Sequence, residues 1–164
     1  MTHSSALDAA IRQARHLLFA FDGPIRSTDA RMPADSTAPT APHIHEALAA
    51  CRDSGRSAVV ITPQPLIDVP AYLDTYDLFP QVTVIEASIS DAVSTLEAPS
   101  AECLLITSSP ADIEAAQAAG APSIGYAGTP DDAAHLIDAG AIAFVYSMAD
   151  LALRLRAQGA NWDL

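Results

Sequence analysis

The stretch that decides the fold is the run Leu17-Leu18-Phe19-Ala20-Phe21-Asp22-Gly23-Pro24-Ile25. It begins with apolar residues and stops abruptly at an Asp-Gly step. A strand buried on both faces of a parallel sheet is apolar throughout, and its carboxyl end commonly opens into a binding site. We therefore expect a central strand here, with Asp22 and Gly23 at the mouth of a site.

Strand-like and helix-like segments alternate along the whole chain. The predicted strands lie at about 17–21, 58–62, 82–86, 103–107, 123–126 and 142–145. The predicted helices lie at about 5–15, 43–54, 64–74, 88–96, 110–119, 131–138 and 148–157. This alternation is typical of an α/β, Rossmann-like doubly wound fold around a mainly parallel sheet. The carboxyl ends of the central strands should bring together Ala20, Asp22, Thr62 and Ser108.

Several predicted helices have clear start and stop signals. A hydroxyl residue precedes an acidic residue by three positions at Ser109, Thr129 and Ser147, which predicts capping boxes. Gly120 and Gly140 follow two of these helices and are expected to cap their carboxyl ends.

Length and charge limit the classes of function. A chain of 164 residues suits one compact domain spanning 1–164. Eight basic residues against twenty acidic ones give a net charge of −12, which argues against nucleic acid and anionic membranes as partners. All basic residues are Arg, and together with abundant Ala this composition indicates a high-GC genome, such as an actinobacterial one.

The sequence also predicts a cytoplasmic protein. No apolar run reaches the roughly 20 residues that span a bilayer, and the amino terminus has no apolar signal core. Cys51 and Cys103 lie in unrelated contexts and are expected to be free thiols. A homo-oligomer remains compatible with the composition.

Residues 26–42 stand apart from the alternating pattern. They combine Pro33, Pro39 and Pro42 with Ser, Thr, Asp and Ala, without apolar periodicity. A loop of this length in a compact domain is typically functional or disordered. We expect a short flap here, and a carboxyl-terminal tail at 158–164.

The run around Asp22 resembles the first motif of the haloacid dehalogenase (HAD) superfamily, in which four apolar residues precede Asp-x-Asp-Gly-Thr. The segment Val59-Val60-Ile61-Thr62 is similar to the second motif, and Glu102 to Ala116 is similar to the fourth. Order and spacing agree over most of residues 16–157. The resemblance implies a HAD-like core without a separate cap domain, whose usual place is taken here by the short segment 26–42.

Measured against that resemblance, several groups that HAD phosphatases require are missing. Ala20 occupies the position of the nucleophilic Asp, and the further losses described next favour natural degeneration over an engineered trap mutation. Ser108 occupies the position of a magnesium-binding carboxylate, after Thr107 in place of Gly. The family's Lys is absent from a chain that has no Lys, so Arg26 or Arg56 is the available substitute, with different geometry.

These losses predict that ordinary phosphohydrolase activity is absent. Phosphoryl transfer needs an in-line nucleophile and a cation that neutralises the phosphoryl oxygens. Magnesium is expected to bind weakly or not at all, and no other cofactor is predicted. The first hypothesis is a pseudophosphatase that binds a small anionic ligand or a protein partner. The alternatives are a metal-independent lyase, cyclase or isomerase that uses Asp22 as acid/base, and a residual HAD-family hydrolase.

The candidate ligand-binding residues each have a structural interpretation as well. Asp22 suits the Asp-Gly turn, Thr62 can cap the next helix, and Asp112 suits a capping box. Ser108, Ser109 and Gly23 place hydroxyl and backbone groups near a helix amino terminus, which favours an anion, although Ser109 also suits the helix cap. His43 and His45 are two positions apart on a predicted helix, so no metal pair is expected there.

Overall fold

The computed structural model describes residues 3–21, 23–25, 43–62, 69–75, 77–78, 82–97 and 99–157. Its strands are β1 (His16–Ala20), β2 (Ser57–Ile61), β3 (Thr83–Ile85), β4 (Cys103–Thr107), β5 (Ser123–Tyr126) and β6 (Ala143–Val145). All the predicted strands are present. The first two begin and end one residue earlier than predicted, so Phe21 and Thr62 lie just beyond their strands.

The helices that the structure describes also match the predicted segments. They are α1 (His3–Gln13), α2 (Ile44–Asp53), α3 (Val69–Thr75), α4 (Ile89–Thr95), α5 (Pro110–Ala118), α6 (Pro130–Ala139) and α7 (Met148–Ala157), with a short 3₁₀ helix at Ser100–Glu102. Residues 63–68 lie outside the described residues, so the predicted start of α3 at residue 64 stays a prediction. None of these helices is long and apolar enough to cross a membrane.

The sheet has the strand order β3-β2-β1-β4-β5-β6, and every described pair is parallel. The central strand β1 lies between β2 and β4, with Phe19 opposite both Val60 and Ile106. This arrangement confirms the predicted Rossmann-like, doubly wound fold. The direction in which successive strands are added reverses at β1 and β4, where such folds bind their ligands.

Alternate residues of the strands face two different helical layers. Leu17 and Phe19 belong to a core shared with α1, α2, α3 and α7, whereas Leu18 packs in a second core with α4 and α5. A third cluster lies under α5 and α6. Leu136 of α6 packs against Gly125, where an added Cβ would lie 2.7 Å from a Leu136 methyl carbon. The absence of a side chain in β5 therefore allows α6 to approach the sheet closely.

The predicted helix ends are largely confirmed. The Thr129 hydroxyl accepts a hydrogen bond from the Asp132 N–H at 3.1 Å, and the Ser147 hydroxyl accepts one from the Ala149 N–H at 3.0 Å. Gly120 and Gly140 have φ values of 82° and 123° at the ends of α5 and α6, a conformation that favours glycine. The predicted flap at 26–42 and tail at 158–164 lie outside the described residues.

Candidate functional site

The candidate site lies at the carboxyl edge of the sheet, where β2, β1 and β4 end side by side. Ala20 is the last residue of β1, opposite Ile61 of β2, and Thr62 follows Ile61 directly. Ser108 follows β4 directly. The expected convergence is therefore confirmed for Ala20, Thr62 and Ser108. Asp22 lies outside the described residues, and its place in the site stays a prediction.

Ala20 supplies only a methyl group at the end of the central strand. It is 8% exposed, and the next residue continues the strand ladder, because the Phe21 N–H donates to the Ile61 carbonyl oxygen at 3.1 Å. Thr62 is also buried, and its N–H donates to the Ile85 carbonyl oxygen at 3.2 Å. Backbone hydrogen bonds thus hold both strand ends in place.

Gly23 brings the loop after β1 against the loop after β4. Its φ is +99°, which side chains rarely tolerate, and an ideal Cβ at this position would lie 2.6 Å from the Ser108 Oγ. Glycine is therefore required both for the backbone conformation and for the close approach to Ser108. The two loops that carry the first and fourth motifs are in contact at this point.

The Ser108 hydroxyl ties β4 to the neighbouring strand end. Its Oγ donates a hydrogen bond of 2.8 Å to the Tyr126 carbonyl oxygen at the end of β5. Burial raises the pKa of the Tyr126 phenol, whose side chain packs against the main core. Tyr126 was missed by the sequence analysis, although its position at the end of a strand next to β4 was a usable signal.

A second hydrogen-bond network starts α5. The buried Thr107 hydroxyl donates to the Asp112 carboxylate oxygen Oδ2 at 2.8 Å and accepts a hydrogen bond of 3.1 Å from the Ser109 N–H. The capping box predicted at Ser109 and Asp112 was wrong, because the Ser109 side chain makes no cap hydrogen bond. Thr107, two residues earlier and at a position where the HAD pattern has Gly, instead accepts the hydrogen bond of the Ser109 N–H.

The suggestion that Arg56 supplies positive charge to the site was wrong. Arg56 precedes β2 at the amino ends of the strands, on the side of the sheet opposite to the candidate site, and is 4% exposed. Its guanidinium donates hydrogen bonds of 2.9 Å to the Ala14 carbonyl, 3.0 Å to the Ile11 carbonyl and 3.4 Å to the Leu155 carbonyl. Burial lowers its pKa from the usual value. Arg26, the other suggested cation, lies outside the described residues.

The described residues of this edge do not fit a magnesium ion. Magnesium prefers carboxylate oxygens, whereas Ala20 has no ligand atom and Ser108 offers a neutral hydroxyl that donates to a carbonyl. Asp112 is half-buried, and one of its oxygens already accepts from Thr107. Within the part of the chain that the structure describes, no group of three or more His, Cys, Asp and Glu side chains is placed to hold a metal.

Comparison with known proteins connects this arrangement to one fold. No family model matches the sequence, and no curated protein is significantly similar to it. Solved structures do match. A HAD family hydrolase from Deinococcus radiodurans, determined with bound phosphate and sodium, superposes with a TM-score of 0.70 at 17% identity over 90% of this chain and 98% of its own.

Two further structures give the same result. A protein from Thermotoga maritima provisionally named β-phosphoglucomutase has a TM-score of 0.73 at 16% identity, over 87% of this chain and 99% of its own. A haloacid dehalogenase-like family hydrolase from Streptococcus pneumoniae has a TM-score of 0.67 at 12% identity, over 85% of this chain and 97% of its own. The chain therefore has the haloacid dehalogenase-like fold.

Proposed function

We propose that this chain is a HAD-fold protein without phosphoryl-transfer activity, and that it binds a small anion at the carboxyl edge of β2, β1 and β4. The observation that carries the proposal is the pair of side chains at the ends of the two central strands. Ala20 ends β1 with a methyl group, and Ser108 follows β4 with a hydroxyl that donates to the Tyr126 carbonyl.

Chemistry supports the loss of activity. A covalent phosphoryl transfer needs an attacking oxygen in line with the leaving group, and a methyl group has no electron pair to offer. In other enzymes the removal of a catalytic nucleophile lowers the rate by about a million-fold. The side chain of Ser108 is a poor replacement nucleophile, because no described base accepts its proton and the hydroxyl donates to a backbone carbonyl.

The binding part of the proposal depends on neutral hydrogen-bond donors. Ser108 and Ser109 directly precede α5, whose partial positive charge attracts anions, and Thr62 follows β2 on the same side of the sheet. To donate to an anion, the Ser108 hydroxyl must turn away from the Tyr126 carbonyl oxygen. A structural neighbour, the D. radiodurans hydrolase, was determined with bound phosphate, which makes phosphate a natural probe for this chain. Asp112 repels an anion here and the chain has no Lys, so we expect weak affinity, about millimolar.

Two measurements test this proposal on the untouched chain. Hydrolysis of a chromogenic phosphate ester with and without magnesium should equal the buffer blank. Inorganic phosphate should raise the thermal unfolding midpoint by saturable binding, and Ser108→Ala should weaken that effect, whereas Ser147→Ala at the end of β6 should not. Magnesium-dependent turnover that Asp22→Asn abolishes would contradict the loss of catalysis. A phosphate effect that is equal in both Ser variants would contradict the proposed location.

A further inference from the structure

A serine and a histidine meet at the amino ends of the strands, away from the candidate anion site. Ser57 begins β2 and His16 begins β1, and the two residues are partners in the parallel register. Their side chains therefore point to the same face of the sheet, and the Ser57 Oγ lies 2.6 Å from the His16 Nδ1. A hydroxyl this close to an imidazole nitrogen has the spacing of a nucleophile and its base.

The pair can be reached from solvent, because Ser57 is exposed and His16 is half-buried. Among the described residues, the hydrogen-bond partner of the Ser57 hydroxyl is a nitrogen that can take its proton. Other serines of this sheet layer differ in that respect. The hydroxyls of Ser54 and Ser108 donate to backbone carbonyl oxygens, which do not act as bases. Ser57 is thus the described serine whose surroundings fit a nucleophile.

The surroundings of His16 keep the imidazole able to accept a proton. Burial lowers the pKa of His16 below its usual value of 6.5, whereas the Glu102 carboxylate raises it and Arg15 lowers it further. The ring is therefore mostly neutral above pH 6.5, and with its proton on Nε2 the Nδ1 atom accepts from Ser57. Arg15 and Glu102 form a salt bridge of 3.6 Å. Burial also raises the pKa of Cys103, the partner of His16 on β4.

We propose that Ser57 and His16 form a nucleophile–base pair that transfers acyl groups from activated carboxylic esters to water. The Ser57 Oγ bonds to the ester carbonyl carbon as its proton passes to the His16 Nδ1. The carbon–oxygen bond to the leaving group then breaks, and the imidazolium returns the proton to the departing oxygen. Water, deprotonated by His16, attacks the acyl-serine carbonyl carbon and releases the carboxylic acid and the free hydroxyl. Glu102 is a positioning residue, since its charge favours the imidazolium.

An ester with a good leaving group is the fitting substrate class. Ser57 is exposed, so an attacking hydroxyl here gives the departing oxygen little stabilisation beyond the proton from His16. This activity is independent of the proposed anion site, which lies at the carboxyl ends of the same strands.

The ester para-nitrophenyl acetate provides the probe. The unmodified chain should release nitrophenolate faster than the buffer blank and, after an acid quench, should carry an acetyl group on Ser57 that peptide mass spectrometry locates. Ser57→Ala should remove both signals, and His16→Gln should slow the release by about a hundredfold. Ser57→Cys keeps a nucleophile beside His16 and should still be acetylated.

Matched variants separate this pair from other reactive side chains. Ser94→Ala and His135→Gln, at an exposed serine of α4 and an exposed histidine of α6, should leave the rate unchanged. The rate should rise with pH through a midpoint below 6.5, and Glu102→Gln should move that midpoint lower, which a purely structural role would not do. Thermal unfolding checks that each variant is folded. A rate that Ser57→Ala retains, acetylation only at other residues, or release no faster than the blank would overturn the proposal.

Discussion

The Thr107 hydroxyl donates a hydrogen bond of 2.8 Å to the Asp112 carboxylate, so the acidic residue that remains in the fourth motif is held at the start of α5. Thr107 is fully buried and also accepts the Ser109 N–H. Its replacement by Val keeps the shape but removes both hydrogen bonds. The two residues therefore form a structural pair at the position where the HAD pattern places a glycine and a functional carboxylate.

Thr107→Val should lower the free energy of unfolding by about 1–3 kcal/mol, because the partly buried Ser109 N–H loses its acceptor and an Asp112 carboxylate oxygen loses its donor. Urea unfolding measures the change. Thr83→Val, at an exposed position of β3, is the control and should stay within about 0.5 kcal/mol of the unmodified chain. Additive effects of Thr107→Val and Asp112→Ala in a double-mutant cycle would show that the two residues are not coupled.

Gly23→Ala should destabilise the protein by about 1–3 kcal/mol, because it combines a positive φ with a contact of 2.6 Å to the Ser108 Oγ. Adding Ser108→Gly removes the close contact but not the backbone strain, so it should recover only part of the loss. Gly128→Ala is the matched control, since its Cβ would lie an ordinary 3.4 Å from an Asp132 oxygen. Full recovery in the double variant would assign the whole effect to the contact.

Restoring the missing carboxylates should restore metal binding before turnover. Ala20→Asp alone should leave hydrolysis of a chromogenic phosphate near the blank, because the cationic group is still absent. Adding Ser108→Asp supplies a second carboxylate and should produce a calorimetric signal with magnesium. Measurable turnover should require an introduced Lys as well, since catalytic groups act as a unit.

The control for this repair adds the same charge elsewhere. Ala20→Asp combined with Ser147→Asp places the second carboxylate after β6, two strands away from β4, and should give no magnesium signal. A micromolar magnesium site in the unmodified chain would contradict the premise that the missing carboxylates prevent magnesium binding.

Arg56→Met should destabilise the protein by about 1–3 kcal/mol, because the Ala14 carbonyl oxygen loses its guanidinium donor and the Ile11 carbonyl oxygen keeps only the Ala14 N–H. Arg56→Lys should rescue little, as a single ammonium cannot reproduce the planar donor set. Arg52→Met, at an exposed arginine of α2, is the control. Phosphate binding should be unaffected in any variant that folds, since Arg56 lies at the amino ends of the strands, away from the proposed anion site.

The buried thiol of Cys51 should make stability depend on alkaline pH. Burial raises its pKa from 9.0 to about 12, so the folded protein keeps the proton that the unfolded chain releases. The unfolded state then binds fewer protons, and stability falls as pH rises from about 9 towards 12. Urea unfolding of the unmodified chain and of Cys51→Ala across this range measures the difference. Parallel pH profiles for the two proteins would show that the thiol stays protonated in both states.

The sequence predicted the fold well because the apolar runs and helix caps are local signals. Leu17 to Phe21 could be assigned to a buried strand from composition alone, and the sheet edge then followed from parallel topology. The interactions of individual side chains were harder to predict from the sequence. Arg56 donates to carbonyls of Ile11 and Leu155, which are far away in the sequence. Thr107 binds both the Ser109 N–H and the Asp112 carboxylate, an arrangement that residue spacing alone does not predict.

Charge is unevenly distributed over the described helices, because α4, α5 and α6 carry six acidic residues and no Arg, whereas α1, α2 and α7 carry both arginines and acidic residues. The described residues therefore place more negative charge on the α4, α5 and α6 side of the sheet than on the other side. We expect this negative charge to steer a positively charged molecule towards α5 and α6, so that it associates with them faster than an uncharged molecule would. Its association rate should fall as ionic strength rises, while the rate of dissociation changes little.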